Sequence, residues 1–222
     1  MKVSEKVLKY EVCNPSSESM PVIIVAAGNS TRMGGVNKQL ACIAGVPVII
    51  RTMLAFENCD AVSNIILVTR TEDLFEMQML SEKYRITKLS DIVCGAATRQ
   101  QSVEKGLSRV KATEKKILIH DGARPLVDKT IIESVAGALK THVAVTCAVK
   151  IKDTVKQVDE SGKVIKTLPR ESLVAVQTPQ GVSLDEYRQA IGSAGGASQF
   201  TDDAALMEAA GFEVYTVPGS YR

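Results

Sequence analysis

Arg32, Gly34, Gly35 and Lys38 crowd into one short polar loop that opens at Gly28, directly after the apolar run 22–27. A buried strand running into a loop with glycines and two cations suits the gripping of phosphate. Backbone N–H groups can point inward there, and the cations neutralise charge. The stretch VIIVAAGNSTRMGGVNKQ has no G-x-x-x-x-G-K-[ST] and no G-x-G-x-x-G, which excludes a Walker-type P-loop and the dinucleotide fingerprint. An exposed turn with two solvated cations is the competing reading of the same residues.

Such a loop needs a scaffold, and the rest of the chain supplies one. Pro47 suits the first turn of a helix to about residue 58, with Ile49, Ile50, Met53, Leu54 and Phe56 apolar. A strand at 64–69, a helix at 72–83 and a strand at 91–94 follow. In GAATRQQSV, Thr98 and Gln101 fit a capping box for a helix carrying Val103, Leu107 and Val110. A strand at 117–120 runs into DGARPLV, and Asp128 can cap a helix with Ile131, Ile132, Val135 and Leu139. Residues 142–149 form the next strand.

The alternation of strand and helix then breaks. Residues 150–172 alternate apolar and polar around a DESG turn, which reads as a protruding hairpin arm that packs on another subunit. A strand at 173–177 leads to the turn TPQG. Ser183 and Glu186 fit a capping box for a helix to about 194. A Gly- and Ser-rich loop covers 192–198, Thr201 can cap a helix through 210, and 212–217 is the last strand. This order predicts an α/β protein with a mostly parallel twisted sheet and helices on both faces. Residues 1–20 read as an N-terminal extension and 21–222 as a single domain. Gly28, Gly95, Asp121 and Thr178 each follow a strand, so they can converge on the rim where open α/β sheets bind ligands.

Composition narrows the function. A net charge of +2 gives no reason to expect nucleic acid, and no Trp with 4% aromatics leaves few stacking platforms. No apolar run approaches the length of a membrane span. Cys13, Cys42, Cys59, Cys94 and Cys147 contain no C-x-x-C pair, which fits reduced thiols in a cytoplasm. With only His120 and His142, a zinc site is not expected. His120 ends an apolar strand and reads as a packing residue rather than a base.

AAGNSTRMGGVNKQ, GAATRQQSV, HDGARP, KDT, LPRESL, QTPQ and TDDA occur in that order. The first resembles the signature loop of sugar-phosphate nucleotidyltransferases. Together, over about residues 21–222, they resemble the 2-C-methyl-D-erythritol 4-phosphate cytidylyltransferases of the non-mevalonate isoprenoid pathway. The resemblance implies a Rossmann-like nucleotidyltransferase fold and a homodimer whose arms cross the interface. It implies reaction of CTP with methylerythritol phosphate, with Mg²⁺ bridging phosphates. Arg32, Lys38 and Arg170 would be catalytic. Ala26, Ala27, Gly28, Ala96, Ala97, Ser102, Asp121 and Gly122 would bind the nucleotide. Arg124, Thr154, Thr178 and Thr201 would bind the acceptor, and Asp121 is also a candidate metal ligand.

The sequence departs from the family in two places. Gly95–Ala96 stands where the family usually has Gly-Gly. The family also continues past the VPGSYR at which this sequence stops, with a segment like NIKITTPEDL whose lysine faces the phosphates. Either the sequence is a shortened form or that ligand is missing. Two further readings follow: the same chemistry on a pentitol phosphate such as ribitol 5-phosphate, or a non-catalytic nucleotide-binding protein. The implied nucleophile is already anionic near neutral pH, so alignment and charge neutralisation, rather than a strong base, would carry the reaction.

Overall fold

The computed structural model describes residues 19–28, 37–194 and 200–222. Arg32, Gly34, Gly35, residues 1–18 of the expected N-terminal extension and most of the 192–198 loop lie outside the described residues. A seven-stranded sheet forms the centre. Its members are β1 (Met20–Val25), β4 (Val62–Thr69), β5 (Leu89–Cys94), β6 (Lys116–Asp121), β7 (Ala144–Lys150), β10 (Val174–Ser183) and β11 (Val214–Pro218). Their spatial order is β11-β7-β10-β6-β1-β4-β5. Every pairing is parallel except those of β10, which runs antiparallel to β6 and β7.

The strands are continuous apolar runs because both faces are covered. Val22, Ile24, Ile65, Leu67 and Leu118 face α1 (Val48–Glu57), α2 (Leu74–Lys83) and α4 (Lys129–Ala138). Ile23, Ile66, Val68, Ile117 and Ile119 face α3 (Arg99–Leu107), α5 (Leu184–Ser193) and α6 (Asp203–Ala209). Side chains of a strand alternate between faces. His120 therefore packs toward Phe56 of α1, with ring centroids 4.8 Å apart, while Asp121 turns to the opposite side. Among the described residues, no helix is long and apolar enough to cross a membrane.

The expected caps hold at α3 and α4. Thr98 and Gln101 exchange both capping-box bonds at 3.1 and 3.2 Å, and Asp128 accepts from the Ile131 N–H at 3.0 Å. Two others differ. Ser183 makes no side-chain cap bond; the Leu184 N–H is taken by the Lys115 carbonyl at 2.8 Å, so tertiary pairing satisfies that amide. The helix at 203–209 is capped by Asp202, which accepts from the Ala205 N–H at 2.9 Å, rather than by Thr201. A carboxylate one position on replaces the hydroxyl as acceptor.

The strand expected at 173–177 continues to Ser183, and its register shifts between Val176 and Gln180. Pro179 has no N–H to give a ladder, and the shift accommodates it. TPQG is thus part of a strand rather than a turn after one. A small hairpin of β2 (Cys42–Ile43) and β3 (Val46–Pro47), turning at Ala44 and Gly45 with φ of 48° and 76°, had no periodicity by which to be read.

The expected hairpin is present: β8 (Lys156–Val158) pairs antiparallel with β9 (Val164–Thr167). Asp159 closes its turn by accepting from the Ser161 hydroxyl at 2.7 Å and from the Ser161 and Lys163 N–H groups at 3.0 Å. Every residue of both arm strands is exposed, and Ile165 is 58% exposed.

Candidate functional site

Parallel strands deliver their C-terminal ends to one rim, and the backbone there is tightly knit. The Ala26 N–H donates to the Val68 carbonyl at 2.7 Å, Gly95 to Thr69 at 2.8 Å and Gly122 to Val25 at 2.8 Å. A Cβ on Gly95 would lie 2.2 Å from the Ala27 Cβ, and one on Gly122 would lie 3.0 Å from the Ala26 Cβ. Gly95 therefore packs directly on Ala27, and Gly122 on Ala26. Gly28 is exposed, and among the described residues nothing lies within 4 Å of where a Cβ would be.

Ser102 is buried and shapes the neighbouring loop. Its hydroxyl donates to the Thr98 carbonyl at 2.9 Å and accepts from the Ala96 N–H at 3.0 Å. Ala97, between them, is exposed. Ser102 thus sets the course of the Ala96–Ala97 backbone from below.

β10 brings Thr178 back beside Asp121. The Thr178 hydroxyl accepts from the Asp121 N–H at 3.1 Å and lies 3.0 Å from His120 Nδ1. His120 Nε2 lies 3.2 Å from the Arg124 carbonyl. Burial pushes the His120 pKa down to about 4, so the imidazole is neutral and both nitrogens are engaged. It is a packing residue, as its place in the strand implied.

Both Asp121 carboxylate oxygens hold guanidinium groups: Oδ1 at 3.2 Å from Arg99 Nε and Oδ2 at 3.0 Å from Arg124 Nε. Burial works against its charge, but the two arginines hold its pKa below the usual carboxylate range. Arg99 Nη1 also lies 2.8 Å from Asp203 Oδ2, and the buried Tyr187 hydroxyl donates to Asp203 Oδ1. Gln180 donates to Asp202 Oδ2 at 2.8 Å and accepts from the Ala204 N–H at 2.9 Å. These bonds fix the start of α6 to the rim, and exposed Thr201 immediately precedes it.

Arg99, Gln180, Tyr187 and Asp203 were not singled out from the sequence. Three of them sit inside the motifs TRQQ, QTPQ and TDDA, and that placement was the available signal. Tyr187 carried none. The occupied oxygens count against Asp121 as a direct metal ligand, and no cluster of three potential ligands occurs among the described residues. The preformed donors do not fit a divalent cation.

Lys38 is partly exposed, with no hydrogen bond or ion pair from its side chain among the described residues, and its turn sits at this rim. Its neighbour Gln39 is buried, and Gln39 Oε1 would stand 3.0 Å from a Cβ on Gly122. Arg170 and Thr154 are exposed at the arm. Arg170 Nη1 donates to the Lys152 carbonyl at 3.0 Å and pairs with Glu171 at 3.6 Å. Neither Arg170 nor Thr154 bonds to the rim cluster.

Comparison with known proteins gives a consistent answer. The IspD family model, described as 2-C-methyl-D-erythritol 4-phosphate cytidylyltransferase, matches residues 20–222. The protein of that name from Halalkalibacterium halodurans is 44% identical over 203 residues, covering 90% of this chain and 88% of its own length. The one from Clostridium novyi is 39% identical over 206 residues, covering 90% and 87%. Among solved structures, 4-diphosphocytidyl-2C-methyl-D-erythritol synthase from Anaerococcus prevotii matches with a TM-score of 0.81 at 28% identity, covering 92% of this chain and 90% of that one. The cytidylyltransferase from Thermus thermophilus matches at 0.74 and 26%, with coverage of 92% and 90%.

Proposed function

Because the chain belongs to the 2-C-methyl-D-erythritol 4-phosphate cytidylyltransferase family, we propose that its rim aligns and neutralises two phosphate-bearing substrates, with Lys38 and Arg32 on the triphosphate. The protein is a CTP-dependent nucleotidyltransferase. It transfers the cytidylyl group of CTP to 2-C-methyl-D-erythritol 4-phosphate, giving 4-diphosphocytidyl-2-C-methyl-D-erythritol and pyrophosphate.

In this reaction an acceptor phosphate oxygen forms a bond to the α-phosphorus of CTP. The bond from that phosphorus to the bridging oxygen breaks, and pyrophosphate leaves with the electron pair. The attacking oxygen is already an anion, so no side chain need remove a proton. The obstacle is repulsion between two anions. The observation that carries the proposal is the Lys38 ammonium, unpaired among the described residues, at the rim where β1 ends in exposed Gly28. Arg99 pairs with Asp121 and Asp203, and Arg124 pairs with Asp121 through Nε. Lys38 and Arg32 are the cations of the loop that would meet a polyphosphate.

Ala26, Ala27 and Gly28 would cradle the nucleotide through the backbone, with Ala96 and Ala97 lining its base or ribose. Ser102 would act by holding that loop. Asp121 and Gly122 would frame the ribose, and Arg124, Thr178 and Thr201 would border the acceptor. A divalent cation would arrive on the nucleotide's own phosphates, and no step here depends on it. Residues 21–222 would act as one unit in a homodimer, with the 150–172 arm bringing Arg170 and Thr154 to the other subunit's acceptor. Exposed Val158, Val164, Ile165, Val174 and Val176 are apolar surface that such docking would cover. The free thiols of Cys42, Cys59, Cys94 and Cys147 suit a cytoplasmic protein.

The test is pyrophosphate release from CTP and Mg²⁺ with methylerythritol phosphate or ribitol 5-phosphate supplied in parallel. Turnover with methylerythritol phosphate alone is expected. Turnover only with ribitol 5-phosphate would overturn the acceptor assignment. CTP binding without turnover on either would favour a binding protein.

A further inference from the structure

The turn that carries Lys38 is held by one amide side chain. Asn37 Oδ1 accepts from the Gln39 N–H at 3.1 Å, closing a side-chain turn around Lys38. The Asn37 carbonyl accepts from the Leu40 and Ala41 N–H groups at 3.2 and 3.1 Å. At the other end of the amide, Nδ2 donates to Asp73 Oδ2 at 3.0 Å. Asp73 is buried, on the short 3-10 turn Thr71–Asp73 that leads into α2. Arg70 secures its carboxylate with Nε at 2.7 Å from Oδ2 and Nη2 at 3.0 Å from Oδ1.

An amide has one accepting end and one donating end. Asp73 can only accept, so it dictates that Asn37 presents its nitrogen there and its oxygen to Gln39. Flipping the amide would set Oδ1 against a carboxylate and Nδ2 against an N–H. One orientation satisfies both partners, and in that orientation the backbone on each side of Lys38 is fixed.

We propose that Asp73 is a positioning residue for Lys38, acting through the Asn37 carboxamide. Asp73 itself bonds to none of the residues assigned to nucleotide or acceptor. The inference rests on the reading that Lys38 acts on the triphosphate, where misplacing a group by about 1 Å can cost on the order of 100-fold in rate.

The experiment uses the full chain carrying Lys38→Ala, Asn37→Ala, Asn37→Asp or Asp73→Ala. It reads kcat, both KM values and thermal stability, with CTP, Mg²⁺ and methylerythritol phosphate. Asn37→Asp sets two carboxylates face to face, and Asp73→Ala removes the acceptor that orients the amide. Each should lower kcat by about 10- to 100-fold with little change in acceptor KM. Asn37→Ala adds no charge, so it keeps the test open should another variant fail to fold. Native kcat in Asn37→Ala and Asp73→Ala overturns the proposal. Native kcat in Lys38→Ala would instead remove the reading beneath it.

Discussion

Arg99 Nη1 lies 2.8 Å from Asp203 Oδ2, joining the first turn of α3 to the first turn of α6 over the end of the sheet. The Asp203 side chain is only 3% exposed. Arg99→Ala would leave that carboxylate with Tyr187 as its one side-chain donor. Breaking a buried pair this way costs about 3–5 kcal/mol, so the urea midpoint should fall strongly. Tyr187→Phe should cost less, about 1–3 kcal/mol, since one neutral donor is lost. A smaller loss in Arg99→Ala than in Tyr187→Phe would contradict this ranking.

His120 gives the protein an acid limb. Burial lowers its folded pKa to about 4 from the ordinary 6.5. The unfolded chain therefore binds more protons between those values, and stability rises with pH across that window. At neutral pH the contribution is full, because the imidazole is neutral in both states. It is lost as pH falls from 6.5 toward 4, by on the order of 3 kcal/mol. Asp121, also held below its ordinary value, adds loss of the same sign at lower pH. Urea midpoints from about pH 8 to 4 should trace this fall. In His120→Gln, the section between pH 6.5 and 4 should flatten; an unchanged slope would show that another group carries it.

Two rim glycines should respond oppositely to alanine. A Cβ on Gly95 would meet the Ala27 Cβ at 2.2 Å and the Ser102 hydroxyl at 3.0 Å, so β1 or the 95–98 loop must move. Gly95→Ala should cost about 1–3 kcal/mol of stability. Among the described residues a Cβ on Gly28 meets nothing, so Gly28→Ala should keep the native melting temperature. If CTP lies against that backbone, its KM should nonetheless rise. Melting curves and CTP titrations on both variants decide the matter, and a native KM in Gly28→Ala would move the nucleotide elsewhere.

The arm should act across subunits. Arg170→Ala and Lys38→Ala chains, each nearly inactive alone, should regain activity when mixed and allowed to exchange. Random pairing of equal amounts puts one intact site in half of the dimers, or roughly a quarter of native turnover. Mass-tagged subunits would verify exchange. Exchange without recovered pyrophosphate release would place both residues in the same subunit's site.

What the sequence determined by itself is local. Continuous apolar runs such as IILV required strands covered on both faces. Thr98 with Gln101, and Asp128, named two helix starts, because a cap and its acceptor lie within one turn. The DESG turn flanked by alternating residues defined the arm. The ordered motifs identified the family and its chemistry. The tertiary structure decided which partners those residues keep. Arg99 and Asp203 stand 104 positions apart, and Asn37 and Asp73 stand 36 apart. No periodicity spans such gaps. The direction of β10 likewise depends on its neighbours, since an antiparallel strand inserted between β6 and β7 is what carries Thr178 to Asp121. Whether a charged side chain is free for substrate or already spent on a neighbour depends on distances of about 3 Å between remote elements, which only packing establishes.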